Sequence, residues 1–495
     1  MKKGIAYRFG NFIDSFISVF SPMAASKRRA WRNNFYMGYE AASPTRKDDV
    51  FPWDGKAEAM NKAARQTLRA RARDLERNSE VASGVLEALD RNVIGTGISM
   101  QAQTKSKAFN ERIEKLWNSW CHAENCDITE TQSLNDLVRM IFRRQWVDGG
   151  VLVIYSINKN KRIPLQIQVR EVDDLATGSY PYTSGNILSE GVEMNKVGKP
   201  IAYYLTTTDA NGFETTVPER IPADRVSFLW DRTRPSQFRE ISRLAKAITR
   251  IKDLDDYNQA VAFQQKTQAC TSVYIETDNT NELPGRPSNN GDFNRLEQIS
   301  AGSVNYLKPG EKVATLIPNG QAAEVANYMV TQLRLVAAGQ GLSLEGTTRD
   351  VERVNYSSAR QNLIEDNKTY KRLRDDLIEH LMRPMYKRFV SACYLAGLLD
   401  GYGFDIADED FYEATWLAEG MPWIDPKKEA EADNIALQNN TTTLQAVCAR
   451  NGLDWLDVLD QKEREQKEIT KRGLKSTLVI NQTTQKGEGD DTNAE

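Results

Sequence analysis

Helical periodicity over unusual lengths constrains this chain most. Residues 239–268 place Ile241, Leu244, Ile248, Ile251, Leu254 and Val261 at helical spacing behind a candidate N-cap, Ser236. Thirty residues at 1.5 Å each make a rod of roughly 45 Å, which outgrows an ordinary globular core. Residues 324–340 carry a second such helix, stopping among Gly339 and Gly341. From about Ser357 to Leu399 a third aligns Leu363, Tyr370, Leu373, Leu377, Leu381, Met385 and Phe389. Pro384 must kink it, because proline has no N–H for the His380 carbonyl.

Between the last two helices lies GLSLEGTTRDVERVNYSSAR, Gly341 to Arg360, which is polar, has three arginines and no long apolar run. A loop of this length inside a compact domain is uncommon and points to a function.

The rest of the chain surrounds these rods. Lys56 to Arg91 reads as one long helix that stops before the glycines of NVIGTG. Arg65, Arg69, Arg73 and Arg77 share one of its faces. Asp74, Glu76 and Glu80 among them favour a solvated or subunit-facing surface over a phosphate-binding stripe. Helices follow at Phe109–Trp120 and Ser133–Val147. The period then changes to strands at VLVIYSI, PLQIQV, IAYYLTT, FETTV and RVSFLW, so residues 133 to 232 read as an α/β or α+β domain with hairpins. Cys270 to Gln321 reads as a small module of short strands and turns. Three helices close the chain before a polar tail from about Gly473.

With 495 residues the chain exceeds a single core and divides into two to four compact units. A formal net charge of -3 argues against tight clamping of phosphate backbones. Five scattered cysteines, Cys121, Cys126, Cys270, Cys393 and Cys448, read as reduced thiols in a cytosolic setting. The N-terminal MKKGIAYRFGNFIDSFISVF is interrupted by Asn11, Asp14 and Ser15, so it reads as an amphipathic arm rather than a membrane span.

Catalytic vocabulary is sparse. Gly198-Lys199 precedes Pro200 and makes no phosphate loop, GTGISM is no dinucleotide fingerprint, and GxSxG and HExxH are absent. With only His122 and His380, histidine-based chemistry is poorly supplied. Cys121, His122 and Cys126 in CHAENC have the wrong spacing for a zinc knuckle. Asp173-Asp174 and Asp255-Asp256 read as solvated turn and helix residues. No cofactor, metal or catalytic residue is expected.

Five stretches, LRARARDLERNSEVASGVLEALDRNVIGTGI, GKPIAYYL, IPADRVSFLWDRTRPSQFREISRLAKAITRIKDLDDYNQA, VNYSSARQNLIEDN and MPWIDPKKEAEADN, resemble the lambda-type portal proteins of tailed bacteriophages in their order and spacing. Ser236 and Glu240 stand where that family commonly has glycine. The resemblance implies an α+β portal fold: an N-terminal arm (1–55), a wing (56–235), a stem helix (236–269), a clip (270–322), a returning stem helix (323–342), a tunnel loop (343–356), a kinked helix completing the wing (357–420), a helical crown (421–472) and a disordered tail (473–495).

The same resemblance implies a ring, typically of twelve subunits, at one capsid vertex, assembled in the host cytoplasm and carried in the virion. Its channel passes double-stranded DNA without sequence preference. The terminase large subunit, head-completion or adaptor proteins, scaffold and major capsid protein are the implied partners, with no membrane. In this plan Ser343, Glu345, Thr347, Thr348, Arg349, Asp350, Glu352, Arg353 and Asn355 line the channel, the two arginines touching phosphate while the carboxylates keep the grip weak. Glu282, Arg286, Asn289, Asn290 and Asp292 of the clip would dock partners. The rival readings are a metal-dependent nuclease or nucleotide hydrolase associated with packaging, and a scaffold or adaptor without a channel.

Overall fold

The computed structural model describes residues 55–178, 180–183, 185–207, 217–269, 273–277, 311–315, 322–352, 354–420 and 426–473. Every strand pairing among them is antiparallel. The architecture is therefore α+β, as expected, and the α/β alternative falls away.

The first helical run divides in two, α1 (Ala57–Asn78) and α2 (Glu80–Val93). Ser79 takes an extended conformation at φ -116° and ψ 122°, so the run cannot continue as one helix. The break turns Ala82, Val85, Leu86, Leu89 and Val93 into the main core. Strand β1 (Ile98–Ala102) follows, then α3 (Lys107–Trp120), the single turn α4 (Ala123–Cys126) and α5 (Leu134–Val147). A capping box starts α5: Ser133 accepts from the Asp136 amide while the Asp136 carboxylate accepts from the Ser133 amide.

Strand β2 (Gly150–Ile157) is central, flanked by β3 (Leu165–Glu171) and, later in the chain, by Val226–Trp230. Its alternate residues serve two cores. Val151, Val153 and Tyr155 join the main core beneath α5, while Leu152 and Ile154 face a smaller core with Val192, Met194, Tyr203 and Leu205. That smaller core is closed by the sheet of β4 (Ile187–Ser189), β5 (Val192–Met194), β6 (Pro200–Leu205) and β7 (Glu219–Pro222). The strand expected at FETTV falls mostly outside the described residues. Val226–Trp230 is β8.

The rod expected from Arg239 is shorter. Residues 231–242 run without regular structure, Arg243–Lys246 makes a 3-10 turn capped by Ser242, and α6 spans Ile248–Ala269. Arg239 and Glu240, 2% and 0% exposed, are held by ion pairs that a helix starting there would break. Leu244, Ile248, Ile251 and Leu254 are buried, and from Asp255 to Lys266 the side chains of α6 are half-buried or exposed.

Strands β9 (Val273–Thr277) and β10 (Glu311–Thr315) pair with each other, and α7 (Ala322–Gln340) returns beside α6. The Tyr257 and Tyr328 rings lie 4.7 Å apart between these two helices, and Arg250 donates to Gln332 at 2.7 Å. Helix α7 ends at Gly341, whose φ of 78° permits the left-handed residue of a Schellman motif. There the Leu342 amide reaches the Ala337 carbonyl and the Gly341 amide that of Ala338.

After the short α8 (Leu344–Thr348) comes α9 (Tyr356–Leu377), then a π-helical turn at Ile378–Met382, then α10 (Arg383–Leu395). The widened turn sits where Pro384 leaves the His380 carbonyl without its donor. Strand β11 (Ala414–Ala418) pairs with β1, a pairing that sequence reading did not find. Trp416 of β11 joins Trp117, Tyr386 and Phe389 in a buried aromatic cluster, with Trp117 and Phe389 perpendicular at 5.0 Å. Helices α11 (Pro426–Gln438), α12 (Leu444–Arg450) and α13 (Trp455–Lys471) end the described chain.

Among the described residues no helix is long and apolar enough to cross a membrane, and no disulfide forms.

Candidate functional site

The charged segment after α7 is built on a fixed base. Trp146 of α5, 4% exposed, donates its indole N–H to Gln340 Oε1 at 3.1 Å, and the Arg243 guanidinium lies 4.5 Å over the Trp146 ring. The end of α7 is thus tied to α5 and to the approach to α6.

The segment is only partly a loop. Ser343 caps α8, accepting from the Gly346 amide at 3.0 Å. Asp366 of α9 accepts from the Ser343 amide at 2.8 Å and from its hydroxyl at 2.6 Å. This carboxyl is 5% exposed, and burial pushes its pKa up despite both hydrogen bonds. Glu345 accepts from Asn362 at 3.0 Å, and the Thr347 and Thr348 hydroxyls turn back to the Leu344 carbonyl, each at 2.9 Å. Helix α8 packs against α2, α7 and α9.

Arg349 ends the turn in the left-handed region at φ 59°, its amide bonded to the Glu345 carbonyl. From there the chain is exposed: Arg349, Asp350, Val351 and Glu352 all face solvent. The Glu352 amide bonds to the Asp350 carboxylate at 3.0 Å. Asn355 then caps α9, accepting from the Ser358 amide at 2.9 Å. Arg349 makes no ion pair among the described residues. Arg353 lies outside the described residues.

In sequence, the segment 343–356 interleaves Arg349 and Arg353 with Glu345, Asp350 and Glu352. Sequence reading found these residues but missed Asp366. Its signal was a carboxylate between Leu363 and Tyr370 on an otherwise apolar helix face.

The model of the family described as phage portal protein, lambda family, matches residues 43–374, a span that includes the whole charged segment. The chain belongs to the lambda family of phage portal proteins. A probable portal protein of Halomonas phage phiHAP-1 is 26% identical over 488 residues, covering 90% of this chain and 92% of its relative. Portal protein B of Escherichia phage lambda is 19% identical over 487 residues, covering 89% and 91%. Among solved structures, a chain from the neck of a native gene transfer agent particle computed with C12 symmetry matches at TM-score 0.42 and 14% identity. It covers 80% of this chain and 92% of that one, a likeness too loose to argue from.

Portal proteins are structural components of the particle and not enzymes. Three arginines of the stripe in this portal chain, Arg65, Arg69 and Arg73, turn inward, while Arg77 is exposed as a solvated face requires. Arg69 pairs with Asp173 at 2.9 Å and with Glu240 at 3.5 Å, and Arg73 pairs with Asp148 at 2.7 Å. Glu76, one of the acids that suggested a solvated face, instead binds both Arg143 and Arg144. The RPSQFREI turn therefore closes around Glu240.

Cys126 donates its thiol toward the Cys121 and Gln132 carbonyls, and burial pushes its pKa up to about 12. The expected docking residues Glu282, Arg286, Asn289, Asn290 and Asp292 lie outside the described residues.

Proposed function

We propose that this chain is one subunit of a closed ring at a single capsid vertex, and that residues 343–356 line the channel through which double-stranded DNA is packaged and ejected. Membership of the portal family supports the role. The observation that supports the placement is the build of the segment: a base anchored by Trp146, Gln340 and Asp366, followed by a sequence in which Asp350 and Glu352 alternate with Arg349 and Arg353. A tip that must let DNA slide has to be placed firmly and bind weakly. Contacts from Arg349 go to phosphate, so they are indifferent to sequence and weaken with salt.

In this reading α6 and α7 form the stem, the sheets around β2 the wing, and α11 to α13 the crown. Residues 270–322 form the clip, where the terminase large subunit and then head-completion proteins dock. Scaffold and major capsid protein contact the outer ring, and assembly takes place in the host cytoplasm before the ring is sealed into the virion.

Replacing Arg349 and Arg353 together with alanine tests the channel role. Rings visible in electron micrographs should form as in the parent, while DNA translocation or retention changes in a packaging assay. Double-mutant rings that fill and retain genomes like the parent remove the channel role from these arginines. Deleting residues 281–290 should leave rings intact but weaken terminase or head-completion binding, and undiminished binding of both defeats the clip assignment.

A further inference from the structure

The exposed tip has no tertiary anchor of its own among the described residues. Its bonds are local, from the Asp350 amide to Thr348 Oγ1 and from the Glu352 amide to Asp350 Oδ1. Its position is therefore inherited from α8, and α8 is held at its first turn by one buried carboxylate. Asp366 takes both the amide and the hydroxyl hydrogen of Ser343, and Ser343 in turn takes the Gly346 amide. Gly346 leaves room for this arrangement. A Cβ there would lie 2.5 Å from Asp366 Oδ2 and 3.1 Å from Ser343 Oγ. The other side-chain tie between α8 and α9, Asn362 to Glu345, is half-buried.

We infer that Asp366 is the positioning residue of the channel segment: through Ser343 it latches residues 344–348 into a helical turn and so sets how far Arg349 to Glu352 reach. Five residues rise 1.5 Å each in a helix and about 3.3 Å each when extended, so releasing the latch lets the tip advance by about 9 Å. A surface that alternates between these lengths matches duplex at different stages of passage. The consequence for DNA rests on the channel reading above; the latch itself does not.

The test is amide hydrogen exchange on assembled full-length rings without DNA. Ser343→Ala should speed exchange at Gly346, Thr347 and Arg349 by about tenfold, the scale of a lost helix cap. Exchange in α2 and α5 should stay at parental rates, and Ser343→Thr, which keeps the hydroxyl, should restore slow exchange. Asp366→Ala should match Ser343→Ala; if it fails to assemble, the two Ser343 variants decide alone. Parental exchange in Ser343→Ala, or equally fast exchange in Ser343→Thr, overturns the latch. DNA retention is scored separately. Fast exchange with parental retention leaves the latch standing and removes the channel reading instead.

Discussion

The Arg69 guanidinium meets the Glu240 carboxylate at 3.5 Å across 171 residues of chain, and Arg239 holds the same carboxylate at 2.8 Å. Glu240 is fully buried, and the Arg65 guanidinium bonds to its backbone carbonyl at 3.1 Å. One acid thus joins helix α1 to the turn that leads into α6. Glu240→Gln keeps the volume and removes the buried charge that faces Arg239, Arg69 and Arg65, a break in a buried ion-pair cluster that costs up to roughly 3–5 kcal/mol. Thermal unfolding of the variant should show a clearly lower midpoint, and a midpoint equal to the parent's would show that the arginines are satisfied elsewhere.

Glu193 supplies a pH dependence. Burial alone would raise its pKa, but hydrogen bonds from Asn186, Arg220 and Thr183 outweigh that and hold it down to about 2, against an ordinary value of 4.5. The folded state therefore binds this proton more weakly than the unfolded chain does. The stability that Glu193 contributes is present above pH 4.5 and is lost as pH falls from there toward 2. In acid titrations of unfolding, Glu193→Gln should lose less stability than the parent across this window. Identical slopes would exclude Glu193 as a source of acid sensitivity.

Gln340→Ala should loosen the base of the charged segment. It leaves the buried Trp146 indole N–H without its acceptor, at about 1–3 kcal/mol. The last turn of α7 should then exchange its amides faster while the middle of α9 does not. Unchanged exchange there would mean that the Schellman turn alone secures the helix end.

Local patterns were legible where they belong to one element. The apolar rows of α5, α9 and α10, the apolar strand run of β2, the stop at Gly341 and the disturbance around Pro384 all follow from spacing and backbone chemistry. What escaped was set by contacts between distant residues. Helical propensity around Arg239 and Glu240 loses to ion pairs with a helix 170 residues earlier, so α6 begins at Ile248. Propensity likewise carried α1 through Ser79, because the burial that breaks it there lies in another element. Within the candidate site, the charged residues were legible because they interrupt apolar helices. The helical turn α8 was not, since its cap needs Asp366, which sits 23 residues away from Ser343.

The β1–β11 pairing has a consequence for synthesis. Its partners, Ile98 and Ala418 at one end, are separated by most of the chain. At about 5–20 residues per second, the ribosome delivers β11 roughly 15–60 s after β1. During that interval Trp117 lacks Trp416 and β1 lacks its neighbour, and by its end α6, α7 and Phe389 have been made. A nascent chain thus completes this core only after α6 and α7 exist. A chain cut short before residue 414 leaves β1 an open edge and the aromatic cluster unsealed, which marks truncated product for proteolysis before it can take a place among finished copies.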